Sequence, residues 1–110
     1  MSFNIELTDH FKKEAKKLSK KYRSLKEDLK ALGDKLGENP KSGTPMGHEV
    51  YKIRLAIASK GKGKSGGARV ITFVKIVDEV VYLVSIYDKK QLDNLTKEQI
   101  LELLKKVSLL

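Results

Sequence analysis

Phe3, Ile5 and Leu7 alternate with Asn4 and Glu6, the period-two pattern of a strand that buries one face. Thr8 or Asp9 then stands where a helix needs its N-cap. Behind it Phe11, Ala15, Leu18 and Tyr22 recur at helical spacing, with lysines on the opposite side. A second amphipathic stripe, Leu25, Leu29, Leu32 and Leu36, begins at the capping-box spacing of Ser24 and Glu27 and stops at Gly37 and Pro40. Two such helices in succession predict an αα-hairpin.

Residues 37–47 carry four of the chain's glycine and proline punctuators beyond Gly37 itself, namely Pro40, Gly43, Pro45 and Gly47, and read as an irregular connection. The runs 50–58, 69–77 and 80–87 are rich in β-branched and aromatic residues and read as three strands. Asp78 and Glu79 mark a tight turn between the last two. Residues 59–68 are glycine, lysine and serine with little to bury, which predicts a mobile hairpin loop. Thr96 and Gln99 supply another capping box, Leu95 is placed to staple Ile100, and Ile100, Leu101, Leu104 and Val107 continue as a terminal helix. The predicted fold class is α+β in the order β-α-α-β-β-β-α. It is a small, mainly antiparallel four-stranded sheet with an αα-hairpin and a C-terminal helix, the helices lying against one face.

The 110 residues are expected to form one domain spanning 1–110, enough for a single core. With 23 lysines and arginines against 14 acidic residues, the net charge of +9 favours a phosphate-rich partner. Part of that excess lines the first helix, where it can serve as a wet face. No cysteine is present, so neither a disulfide nor a thiolate metal site can form, and nothing calls for an oxidising compartment. The N-terminal residues are too short and polar for a signal peptide, and no apolar run approaches the roughly 18 residues of a membrane span. These features point to the cytoplasm and to no membrane partner.

Several motifs mislead. Gly61, Gly63 and Gly66 match a dinucleotide fingerprint, with Asp88 further on, but that fingerprint must open a helix, whereas the residues that follow read as a strand. Gly63, Lys64 and Ser65 imitate the end of a P-loop whose leading glycine is replaced by Ala58. His10 and His48 have no carboxylates at ligand spacing, so no metal and no other cofactor is expected. Neither histidine completes a Ser-His-Asp arrangement.

The informative stretch is Y-K-I-R-L-A-I-A-S-K-G-K-G-K-S-G-G-A-R, residues 51–69, with six cations and no acid. On a strand, Lys52 and Arg54 project from one face while Tyr51, Ile53 and Leu55 project from the other. An antiparallel hairpin returns Arg69 to the end of that strand. The last strand ends in Tyr87, Asp88, Lys89 and Lys90, which could complete a basic concave surface carrying one ring able to stack on a base. A solvated sheet face would explain scattered charge, but cations gathered on one face repel one another unless a polyanion relieves them.

The element order, the Y-K-I-R-L strand, the S-K-G-K-G-K-S-G-G-A-R loop and the V-Y-L-V-S-I-Y-D-K strand end together resemble the RelE/HigB toxins of the RelE/ParE superfamily over nearly the whole chain. The loop is most similar to the HigB-like branch. The resemblance implies the toxin of a type II toxin-antitoxin system: a metal-independent, ribosome-dependent mRNA endoribonuclease that inhibits translation. Its implied partners are a cognate antitoxin, the ribosome and mRNA. It also implies that Lys52, Arg54 and Arg69 match basic active-site positions of the family and that Lys89 matches a later arginine. The tyrosine that the family can carry after the last strand has no counterpart, Leu95 standing near its place, which leaves Tyr87 as the candidate substitute. Lys60, Lys62 and Lys64 are the candidate RNA-binding residues of the loop. Read chemically, Lys52 is the candidate general base, while Arg54 and Arg69 hold the phosphate. The alternative class is non-catalytic: an RNA-binding module, or a ParE-like toxin that traps a protein target and has no chemical need to keep the convergent cations.

Overall fold

The computed structural model of the chain describes residues 2–60, 67–88 and 95–110, with the side chain of residue 60 excepted. Its elements are β1 (Asn4–Leu7), α1 (Asp9–Lys21), α2 (Leu25–Glu38), β2 (Thr44–Pro45), β3 (Val50–Leu55), a 3-10 turn (Ala58–Lys60), β4 (Ala68–Lys75), β5 (Val80–Asp88) and α3 (Lys97–Lys106). They build an α+β fold on one sheet with strand order β1-β5-β4-β3-β2. The sheet therefore has five strands rather than the expected four. The extra one, β2, is a two-residue edge pairing Thr44 with Lys52 and Pro45 with Tyr51. Pro45 cannot donate to a ladder, and an edge is where a strand proline is tolerated. β3, β4 and β5 form the predicted meander, and β1 joins β5 in parallel, Asn4 opposite Val80 through Leu7 opposite Leu83.

Local sequence explains most of the ends. The Thr8 hydroxyl accepts from the Phe11 amide and caps α1, a contact worth about 1 kcal/mol. Thr96 and Gln99 form the complete capping box of α3. The expected box at α2 does not form. Ser24 instead donates its hydroxyl to Asp28 Oδ2 at 2.8 Å and lies 2.9 Å from the Ser59 hydroxyl, while the Ser59 amide donates to Ser24 Oγ at 2.8 Å. The start of α2 is thereby fastened to the 3-10 turn beyond β3, a tertiary competitor that local spacing cannot reveal.

The αα-hairpin carries the chain across one sheet face from the β1 edge to the β2 edge. Its two stripes, including Phe11, Leu18, Leu25 and Leu36, pack on Tyr51, Ile53, Leu55, Val70, Val74 and Ile86 in a continuous core. The expectation that all helices share this face is overturned. α3 lies on the other side, where Ile100 and Leu104 cover Val50, Ile71, Val84 and Tyr87. Each fully buried leucine contributes about 1.5–3 kcal/mol of transfer free energy, and both faces collect such residues.

A bulge in β5 sets up the second cluster. Ile71 pairs with Ser85 but Thr72 pairs with Leu83, leaving Val84 without a partner opposite. In a regular strand Val84 and Tyr87, three apart, would face opposite sides. The added residue puts both beneath α3. Past the end of β1, side chains of α1 serve the outer edge of β5. Thr8 Oγ1 donates to the Leu83 and Val84 carbonyls, and Glu14 Oε1 accepts from Ser85 Oγ at 2.8 Å and from the Ile86 amide at 3.1 Å. His10 Nε2 lies 3.1 Å from the same carboxylate oxygen.

Candidate nucleic-acid interface

β3 separates its side chains as alternation requires. Tyr51, Ile53 and Leu55 are buried on the αα-hairpin side, Lys52 is half-buried, and Arg54 is exposed on the opposite side. Across the sheet Arg54 stands opposite Arg69, and Arg69 stands opposite Tyr87. Directly opposed residues share a face and have Cβ atoms about 4.5–5.5 Å apart, so Arg54, Arg69 and Tyr87 form one row over β3, β4 and β5. Lys52 sits two residues along β3 from Arg54, on the same face.

Arg69 is only 5% exposed. Its guanidinium donates from Nη1 to the Ala68 carbonyl at 3.2 Å, and no carboxylate among the described residues forms an ion pair with it. A second arginine directly opposite opposes folding electrostatically. Two arginines directly opposed on one face suit a phosphate or carboxylate brought from outside.

Tyr87 closes the row in a different state from the one expected. Its ring is 7% exposed and packed in the cluster beneath α3, so it offers no free face for stacking on a base. The phenol oxygen has no hydrogen-bond partner among the described residues. Burial pushes its ionisation above the ordinary 10.0, opposed by the Leu95 backbone, acting from outside hydrogen-bond geometry, and by the Arg69 charge. The phenol stays protonated at neutral pH and could only give up a proton.

The structure brings together Lys52, Arg54, Arg69 and Tyr87. Lys60 closes the 3-10 turn just beyond β3. The remaining expected contacts, Lys62, Lys64 and Lys89, lie outside the described residues, as does the side chain of Lys60. Sequence reasoning set Asp88 on the basic surface, whereas it is 1% exposed and turned toward the αα-hairpin. Its Oδ2 accepts from the Tyr22 hydroxyl at 2.7 Å and lies 3.7 Å from Lys21 Nζ. The available signal was a carboxylate continuing an apolar strand, together with a tyrosine at the end of a helix stripe, each needing a buried polar partner. Among the described residues, no group of three His, Asp or Glu side chains could hold a metal ion, and no helix is long and apolar enough to cross a membrane.

Fold and site together define a small α+β domain with a cationic sheet face. The family model for the RelE toxin of the RelE/RelB toxin-antitoxin system matches residues 4–109, and the chain belongs to the RelE toxin family. The free Escherichia coli toxin RelE, solved as a double arginine-to-alanine mutant, is similar in fold. Its TM-score is 0.65 at 23% identity, over 97% of this chain and 99% of that one. A chain of the intact E. coli RelBE toxin-antitoxin complex matches at TM-score 0.57 and 22% identity, over 77% of this chain and 94% of that one.

Proposed function

We propose that this chain is the toxin of a toxin-antitoxin pair and that it cleaves mRNA on the ribosome without recruiting a metal ion. The observation that carries this reading is the Arg54–Arg69 pair, opposed across two strands, with Arg69 buried and in no ion pair with a carboxylate among the described residues. A protein bears such repulsion where a polyanion removes it.

RNA supplies its own nucleophile, the 2′-hydroxyl. Cleavage needs that proton removed, the charge on the phosphorus oxygens stabilised and the leaving 5′-oxygen protonated. In this reading Lys52, on the same face and two residues along β3 from Arg54, takes the proton. Arg54 and Arg69 hold the phosphate, and the protonated Tyr87 phenol at the far end of the row is a candidate donor once the α3 cluster opens. Without a strong base at neutral pH, the free protein should be a poor nuclease, and the ribosome would shape the substrate.

Membership of the RelE family and likeness to a chain of the RelBE complex support a cognate antitoxin as partner. An acidic segment lying over the cationic row would neutralise a +9 protein. The lysine-glycine loop supports placement in the HigB-like branch, and the absence of cysteine suits the cytoplasm. If Lys60, Lys62 and Lys64 each contact a phosphate, neutralising all three should flatten the dependence of log affinity on log salt by about 0.7 per contact.

The deciding test is primer extension on messages translated in the presence of the purified protein. New 3′ ends should appear with the native chain and vanish with Arg54→Ala or Arg69→Ala. Growth arrest that persisted with no cleavage would replace this reading with the protein-trapping one.

A further inference from the structure

Tyr87 and Arg69 face each other because β4 and β5 keep register to their ends, with Ala68 opposite Asp88 and Arg69 opposite Tyr87. Yet the outer edge of β5 loses its strand partner at Leu83, where β1 stops. Four more paired residues on β4's side then lead to the site. Past Leu83 no strand among the described residues meets that edge of β5, which is served instead by the Thr8 hydroxyl at the Leu83 and Val84 carbonyls and by Glu14 at the Ile86 amide. The last residue of β5 turns a buried carboxylate toward the αα-hairpin, where the Tyr22 hydroxyl donates to Asp88 Oδ2 at 2.7 Å from 66 residues away, and Lys21 Nζ stands 3.7 Å off. Tyr22 is the C-cap of α1, and its amide donates to the Leu18 carbonyl. The tie therefore runs from a fixed helix end, through the sheet's opposite face, to the residue next to Tyr87.

We propose that Asp88 and Tyr22 are positioning residues, which act through β5 to hold the Tyr87 phenol and the Arg69 guanidinium in the geometry that cleavage requires. This rests on the nuclease reading above. A charge-assisted bond between buried partners is short and directional, and the strand it holds carries the row directly. A packing role alone would show as lost stability at unchanged turnover, whereas a positioning role shows as lost turnover in a protein that is still folded and still binds.

The test is ribosome-dependent cleavage by the full chain, measured at saturating and subsaturating programmed ribosomes, with folding checked by circular dichroism at the assay temperature. Tyr22→Phe should lower the rate at saturation by about tenfold to a hundredfold, the range expected for small misplacements, with KM little changed. Asp88→Asn keeps an acceptor oxygen for Tyr22 and should retain most of the rate. If Tyr22→Phe does not fold, Asp88→Val, which removes the acceptor, takes its place with the same expectation. Native turnover in a folded Tyr22→Phe variant, or a loss in Asp88→Asn as large as in Tyr22→Phe, would overturn the proposal. Arg69→Ala assayed alongside separates the two readings: if it too cleaves normally, the nuclease reading fails, and if it alone is inactive, only the positioning proposal fails.

Discussion

The two faces of the sheet are built to different standards. Under the αα-hairpin the inward positions of β3, β4 and β5 are closed by apolar side chains from both helices. Under α3 the cover is narrower: Ile100 and Leu104 lie over Val50, Ile71, Val84 and Tyr87, while the rest of that face carries the half-buried Lys52, the exposed Arg54 and the buried Arg69. One side thus supplies the stability that lets the other carry unfavourable charge. That division is what separates a binding surface from a core in a domain of this size.

Four perturbations test the contrast, in falling order of effect. Arg69→Ala should reduce cleavage by about 10²–10³, as expected when one preorganised donor to a developing charge is lost, while leaving thermal stability near native because repulsion with Arg54 is relieved. A melting temperature that collapsed with the activity would show that Arg69 belongs to the structural side. Leu36→Ala, at a position with 0% exposure in the first cluster, should cost about 2–5 kcal/mol in urea unfolding and lower the stability of the whole sheet. Leu104→Ala, equally buried under α3, should fall at the low end, about 2 kcal/mol, and its amide exchange should rise in α3 before it rises in β4. Equal, uniform losses in both leucine variants would erase the distinction between the faces.

The smallest effect is the one with a pH signature. Tyr87→Phe removes a buried hydroxyl that has no partner among the described residues, so stability at pH 7 should stay native or rise by up to about 1 kcal/mol. The folded phenol ionises above 10.0 because burial disfavours the anion. Its contribution is therefore fully present below pH 10 and lost as pH climbs through the folded value. The native chain should weaken more steeply than Tyr87→Phe between neutral and strongly alkaline urea titrations. Parallel curves would mean that the phenol reaches water.

What the sequence disclosed follows from how local each feature is. Alternation in residues 51–55 separated Lys52 and Arg54 from their buried neighbours without error, and hairpin logic returned Arg69 to Arg54. Thr8 and Thr96 capped the helices that their positions promised. Features decided by distant partners stayed hidden. Thr44 is a lone β-former beside Pro45, too short a run to announce a strand, and the two pair because β3 offers an edge. Ser24 had a local cap available and took Ser59 and Asp28 instead. The side chosen by α3 depends on the bulge at Val84, which no periodicity announces. Tyr87 illustrates both outcomes, since its place in the row was legible and its burial was not.

The parallel pairing of β1 with β5 also governs the order in which the molecule can come into being. Asn4 to Leu7 are synthesised well before their partners, Val80 to Leu83, each of which lies 76 residues further along the chain (80 − 4 and 83 − 7). Until those late residues emerge, the nascent chain can form its helical hairpin but cannot close its sheet, because non-local pairing waits for the whole intervening length. The Arg69–Tyr87 end of the cationic row is completed later still. A chain released early, anywhere before β5, would therefore lack both the closed sheet and the assembled charge cluster, so damaged or truncated messages for this protein should yield inert fragments.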